Sequence, residues 1–283
     1  MSERRRQPGA AGPTAANLTI HSEALAHRVL IFCVVAEILF VFLDYHINFG
    51  EWTAIGAMRR MFNIAREDSL ASWFATTQTL MTGLTLGLIY LAARRQPGMG
   101  WKATGWLVLA SFFVYMAVDD GAQLHERLGS TFEAMREDAG ASLDFFPSYT
   151  WQLIFLPFFG GLGLFMLVFL WRELGSPSSR ALLLTAISFQ VFAVGLDFLE
   201  GLEPNHPWNL YAAISDRYAL ETWTEWRFGE SAYDTLDHFS RSIEEALEMA
   251  AISILWFLFL RHLSIVPGHL NIRFSNGATK GGP

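Results

Sequence analysis

A single cysteine, Cys33, occurs in 283 residues, so neither a disulfide framework nor a multi-thiolate metal site can be built. Charge is scarce as well. Only 17% of the chain is Asp, Glu, Lys or Arg, against about 25% in an average soluble domain. The sole basic cluster is Arg4-Arg5-Arg6, too short a patch for a nucleic-acid surface, and no nucleic acid is expected as a partner. A Gly-rich phosphate loop and internal repeats are also missing. No small-residue cleavage site closes the first apolar run, which begins near Val29, so the leading residues do not read as a signal peptide.

Apolar and aromatic residues are abundant instead, at 52% and 14%, and the mean hydropathy is +0.28. Six apolar segments, 29–48, 73–93, 101–120, 151–171, 181–200 and 243–260, each approach the ~20 residues needed to cross a bilayer core. The expected fold is all-α: a polytopic membrane helix bundle of six transmembrane helices spanning residues 25–263. Residues 1–24 are expected to form a flexible cytoplasmic tail with a short helix near His21–His27, and residues 264–283 a second flexible tail. Gly160, Gly161 and Gly163 suggest close helix packing on the fourth segment, and Pro157 a kink.

Lys and Arg set the orientation. With the amino terminus inside, twelve of the twenty basic residues fall on inner segments, and the bias agrees at every inner loop. Only Glu3, Glu23 and Glu173 join them there, against twenty-four carboxylates in outer loops or outer helix ends. This predicts a bacterial cytoplasmic membrane protein with both termini cytoplasmic. The outer segment 201–240 carries Trp208, Tyr211, Tyr218, Trp223, Trp226 and Tyr233 among acids, which predicts one or two short interfacial helices capping the bundle.

Ionisable residues inside membrane segments mark functional sites, because each costs ~2.5–3.5 kcal/mol at a helix centre. Here they gather at one level. The first segment contributes Glu37 and Asp44, and the third Asp119, Asp120, His125 and Glu126. The fifth contributes Asp197 and Glu200, and the sixth His238, Arg241, Glu244, Glu245 and Glu248. Residues seven apart differ by only about 20° around a helix. Glu37 and Asp44, Asp119 and Glu126, Gln190 and Asp197, and His238 and Glu245 are each so spaced. His125 points away from the Glu126 direction, so a site using it requires that helix end to be unwound or rotated. Gln78, among threonines of the second segment, is expected to make interhelical hydrogen bonds.

Crowded carboxylates raise one another's pKa and cannot all stay ionised. They can be neutralised by a divalent metal (zinc, manganese or iron), by protons, or by arginines such as Arg241. The candidate ligand set is Asp119, His125, Asp197, His238, Glu245 and Glu248, with Glu126 or Glu245 as the general base for a metal-bound water. A metal-dependent enzyme acting on a lipid-like substrate is one reading. A cation or proton transporter is another, and a non-catalytic subunit whose cluster is structural or partner-binding is the third.

The string Asp119-Asp120-x4-His125-Glu126 resembles the Asp-[Asp/Glu]-x4-His-Glu signature of uncharacterised bacterial polytopic membrane proteins. A late Glu-rich run, here Glu244-Glu245-x2-Glu248, accompanies it in those proteins. The resemblance implies that these two stretches act together. In chemistry alone the cluster is also similar to the membrane metal hydrolases that include alkaline ceramidases and adiponectin receptors, which hold zinc with His and Asp at helix ends. Those proteins have seven spans and a late His-x3-His pair, both lacking here.

Overall fold

Two of the long helices are too polar to pass as membrane spans by composition, and they are the two at the centre. The computed structural model describes residues 22–98, 100–138 and 146–265, and all its regular structure is helical. Helix α3, Leu70–Ala93, carries Gln78 and five threonines. Helix α10, Ala232–Ile265, opens with about five turns that hold the Asp and Glu residues and His238 of the late segment. Around them stand α1 (Ser22–Leu43), α4 (Gly100–Ala122), α6 (Thr150–Glu173) and α7 (Pro177–Glu200). With the turn that extends α1, these four are long and apolar enough to cross a membrane. The shorter helices are α2 (Gly56–Phe62), α5 (Leu124–Asp138), α8 (Leu210–Tyr218) and α9 (Glu221–Phe228).

The outer helices turn their apolar side chains outward. Ile31, Phe32, Val35 and Ile38 of α1 are exposed, as are Phe158 and Leu164 of α6 and Val191 and Phe192 of α7. A surface of that kind is stable against lipid rather than water. The polar faces of α3 and α10 point inward for the same reason. Gln78 donates to Glu37 of α1 (3.1 Å) and to Ser253 of α10 (2.6 Å), and Ser253 donates to the same Glu37 oxygen (2.6 Å). The bridge expected of Gln78 therefore joins three helices.

The two ends of the bundle differ. Arg261 lies near Glu23, Lys102 pairs with Glu173 at 2.9 Å, and Trp106 packs on His262, so the start of α1 and the end of α10 share one end with the α3–α4 and α6–α7 connections. That half is a dry core of Leu86, Trp106, Leu109, Phe113, Phe169, Leu183 and Phe259. The opposite half holds the acids.

Several sequence expectations change. Helix α1 starts at Ser22, ahead of the apolar run, while residues 1–21 and 266–283, where most of both expected tails fall, lie outside the described residues. The cap helices are α8 and α9, and α10 begins at Ala232, absorbing the last turns of the expected outer loop. Among the described residues, Gly160, Gly161 and Gly163 have no neighbour within 4 Å of an added side-chain carbon, so no described helix packs closely there. Close approaches fall elsewhere, as where Gly83 of α3 sits against Val114 of α4.

Candidate functional site

The site grows from the break between α4 and α5. Gln123 takes a left-handed backbone (φ 55°), ending one helix and redirecting the chain into the next. This swings His125 back onto α4. Its amide donates to Asp119 Oδ1 (2.9 Å), and its ring Nδ1 lies 2.7 Å from Asp119 Oδ2. Asp119 is fully buried, and the His125 ring meets Trp151 edge-on at 4.5 Å. The unwinding that a functional His125 requires is thus present. Burial pulls the imidazole pKa down, but bonded Asp119, with Glu126 and Asp120 nearby, outweighs it and holds His125 above its usual value.

The loop between α2 and α3 supplies the facing wall. There Glu67 lines the chamber with Glu126, and its pKa is pushed up to about 7, first by partial removal from bulk water and then by the neighbouring Glu126 carboxylate. Its neighbour Asp68 behaves oppositely: hydrogen bonds from Arg60 and Arg66 hold it down at about 2. Two adjacent acids in one loop therefore have different chemistry, set by whether an arginine or a carboxylate faces them.

Helices α6, α7 and α10 close the remaining side. Gln152 donates to Asp197 (2.7 Å), and Tyr149 donates to Glu200 (2.6 Å), which also accepts from Arg241. Burial, then Glu200, pushes the Tyr149 phenol well above its usual value. Arg241 is shared with Asp237 at 3.3 Å. Gln190 donates to Glu248 (3.1 Å), and Glu245 has Glu248, Asp120, Glu67 and Glu200 as charged neighbours. Glu244 faces Glu248, Asp197 and Glu200. Between these walls lies a chamber of about 630 Å³, lined by Glu67, Asp68, Asp120, Glu126, Glu133, Asp197 and Glu200 together with Arg60, Arg66 and Arg241. Its volume is that of a small-molecule site.

One face of α5 forms part of the lining, through Glu126, Gly129, Ser130 and Glu133. Its other face, Leu128, Phe132 and Met135, is exposed. The helix is seated by Gly129, where an added side-chain carbon would lie 2.6 Å from Trp151 Cβ.

Of the residues singled out in the sequence, Asp120, Glu126, Asp197, Glu200 and Arg241 line the chamber, while Asp119 and His125 are bonded to each other and Glu244, Glu245 and Glu248 are not part of the lining. Three others, His238, Asp44 and Glu37, stand apart. His238 bonds through Nε2 to Asp44 (2.9 Å), stacks on Phe49 at 4.6 Å, and shares Asp44 with Ser242 and Asn48. Glu37 sits deeper, with Gln78 and Ser253. The seven-residue spacing of His238 and Glu245 keeps one face of α10 but separates their levels by about 10 Å. Among the described residues, no three His, Cys, Asp or Glu side chains are gathered to hold a metal ion. Glu67, Tyr149, Trp151 and Gln152 were not legible as site residues. Glu67 lies in a polar loop with no periodicity to orient it, and the others precede or open an apolar run in which nothing distinguishes lining from packing.

The model of the domain of unknown function DUF8692 matches residues 29–263. The chain belongs to this family. No curated protein and no solved structure matches it. The family match takes in the chamber and the six long helices apart from the first turns of α1 and the last residues of α10.

Proposed function

We propose that this DUF8692 protein is a six-span protein of the bacterial cytoplasmic membrane, with both termini cytoplasmic, whose outward chamber performs acid–base hydrolysis on the head of a lipid-like substrate. The observation that carries the reading is that Glu67 and Glu126 line one chamber, next to the hydrogen-bonded His125–Asp119 pair. Two carboxyls on one wall provide a base and an acid together, and the Glu67 value near 7 suits proton transfer in either direction at neutral pH. The ionised member takes a proton from water while the water oxygen bonds to the electrophilic carbon or phosphorus. The protonated member gives its proton to the departing oxygen or nitrogen. The pair then holds one proton again. His125, oriented by Asp119, stabilises the negative charge that develops. Glu245, the other base read from sequence, stands behind the lining.

The translocation reading has less support, because beyond Glu37, Gln78 and Ser253 the dry core of Leu86, Trp106 and Phe259 closes the bundle. The test is mass spectrometry of membrane lipids incubated with the purified protein. Consumption of one lipid class by wild type, lost in Glu126→Gln and His125→Ala variants that still accumulate in the membrane, is the expected result. Unchanged lipid profiles would remove the enzyme reading. Activity is expected to survive a chelator, since no ligand set converges among the described residues. Loss that zinc, manganese or iron restores would reinstate the metal-dependent version.

A further inference from the structure

The end of the bundle away from the chamber carries a second cavity, between α6 and α7. Only residues 174–176 join these helices, yet the pair does not close. A cleft of about 400 Å³ lies between them, lined by Leu167, Val168, Trp171 and Arg172 of α6 and Leu184 of α7. Val168, Trp171 and Leu184 are exposed, while Met166, Phe169 and Leu170 of α6 turn into the dry core. The cleft therefore opens on the outer surface of the bundle. From Leu167 to Arg172 it follows α6 for about 8 Å, room for the part of an acyl chain nearest its head.

One end of the cleft is positively charged and has no counter-ion. Arg172, exposed in the last turn of α6, makes no ion pair or hydrogen bond among the described residues. Arg180, at the start of α7, stacks on Trp171 at 5.0 Å, and its Nε donates to the Trp171 and Leu174 carbonyls. That holds Arg180 in place, but no carboxylate meets it among the described residues. Glu173, the one acid of the connection, is taken by Lys102 at 2.9 Å.

Three kinds of occupant can be compared. A neutral lipid fills the apolar cleft and leaves the guanidiniums without a partner. A soluble anion meets the guanidiniums and leaves the cleft empty. A two-fold contact between copies of the chain would set the same arginines against each other. An anionic phospholipid satisfies both features at once, and basic pockets between spanning helices recognise such heads.

We infer that the cleft between α6 and α7 binds an anionic phospholipid, its phosphate on Arg172 and Arg180 and one acyl chain against Leu167, Val168 and Leu184. This rests on the reading that α6 and α7 cross the membrane, for which both are long and apolar enough, and not on hydrolysis in the chamber.

The test is native mass spectrometry of the full-length protein in detergent, titrated with phosphatidylglycerol and with phosphatidylcholine, whose ammonium cancels the phosphate charge. Phosphatidylglycerol is expected to bind about fivefold tighter, the factor for one guanidinium at a membrane surface. Arg172→Gln should remove that preference. Arg28→Gln takes the same charge from α1 at the same end of the bundle and should leave it unchanged. Leu184→Trp fills the cleft without altering a charge and should weaken both lipids severalfold, a comparison that decides the matter even if Arg172→Gln fails to accumulate. Glu126→Gln should bind as the wild type does, because the chamber lies at the opposite ends of α6 and α7.

Equal binding of the two lipids, or equal loss of preference in Arg172→Gln and Arg28→Gln, overturns the inference. Loss in Glu126→Gln would place the lipid in the chamber and overturn it too. So would competition by inorganic phosphate as strong as by the lipid, which shows a site for free anions, or lipid-free dimers that vanish in Leu184→Trp, which show a second copy in the cleft. Absence of binding by a protein that needs detergent to stay in solution sinks this inference alone. A protein soluble without detergent sinks the spanning reading beneath it.

Discussion

Glu67 and Asp68 are adjacent in sequence and alike in composition, yet one is pushed up to about 7 and the other down to about 2. The pH response of the chamber follows from the first. A carboxyl whose folded-state pKa is raised contributes stability that is complete below its unfolded value, near 4.5, and is lost as pH rises through about 7. The raised His125 pKa acts in the same sense, its contribution fading as pH climbs above about 6.5. Glu67→Gln keeps that side chain neutral at every pH. The difference in melting temperature between variant and wild type should therefore favour the variant increasingly between pH 5 and 8. A constant difference would mean that the Glu67 carboxyl is not held above its usual value. Gln123 shows the same dependence on surroundings. Nothing in Gly121-Ala122-Gln123-Leu124 marks the third residue for a left-handed backbone, but without that turn His125 cannot return to Asp119.

At the scale of elements, α5 carries an amphipathic pattern with its sides reversed relative to a soluble protein: polar face inward, apolar face out. Periodicity in the sequence indicates two faces but not which one meets the protein, since that depends on whether water or lipid lies outside. Gly129 sets how closely α5 approaches α6. Replacing it with leucine places carbon atoms within the Trp151 backbone and side chain, so α5 must move away. Because α5 packs mainly on α6, the six long helices should hold while α5 loosens. Hydrogen exchange in Gly129→Leu is expected to rise across 124–138 and stay protected in α3 and α10, with chamber function lost. Rise throughout the bundle would show that α5 is part of the core. Helices α3 and α10 illustrate the complementary case. Their inward faces hold Gln78, Ser253 and the glutamates, and this polarity marks them as the central pair.

For the whole molecule, the proposed six-span topology requires that Glu230, before α10, and Ser264, at its end, face opposite sides of the membrane. Cys33 is buried and alone, so its replacement with serine leaves a thiol-free background. In that background Glu230→Cys should react with an impermeant reagent from outside in intact cells, and Ser264→Cys only after permeabilisation. Labelling of both from one side would reduce α10 to a helix that does not cross. The asymmetry of the bundle, a dry half beside the chain ends and an acidic half opposite, matches the charge bias of the loops.

The all-α architecture, the positions of six long helices and the common level of the acids were determined by the sequence alone, because apolar run length and helical repeat are local properties that tertiary contacts rarely override. The partners of those acids were decided only in three dimensions. His238 and Glu245 share a face of α10 but meet different helices, Glu67 enters from a loop with no pattern, and Gln152 leaves an oxygen unpaired behind Asp197. Electrostatics falls off over a few ångströms, so the chemistry of each carboxyl depends on which group the fold sets against it, and that pairing is written in no stretch of the chain.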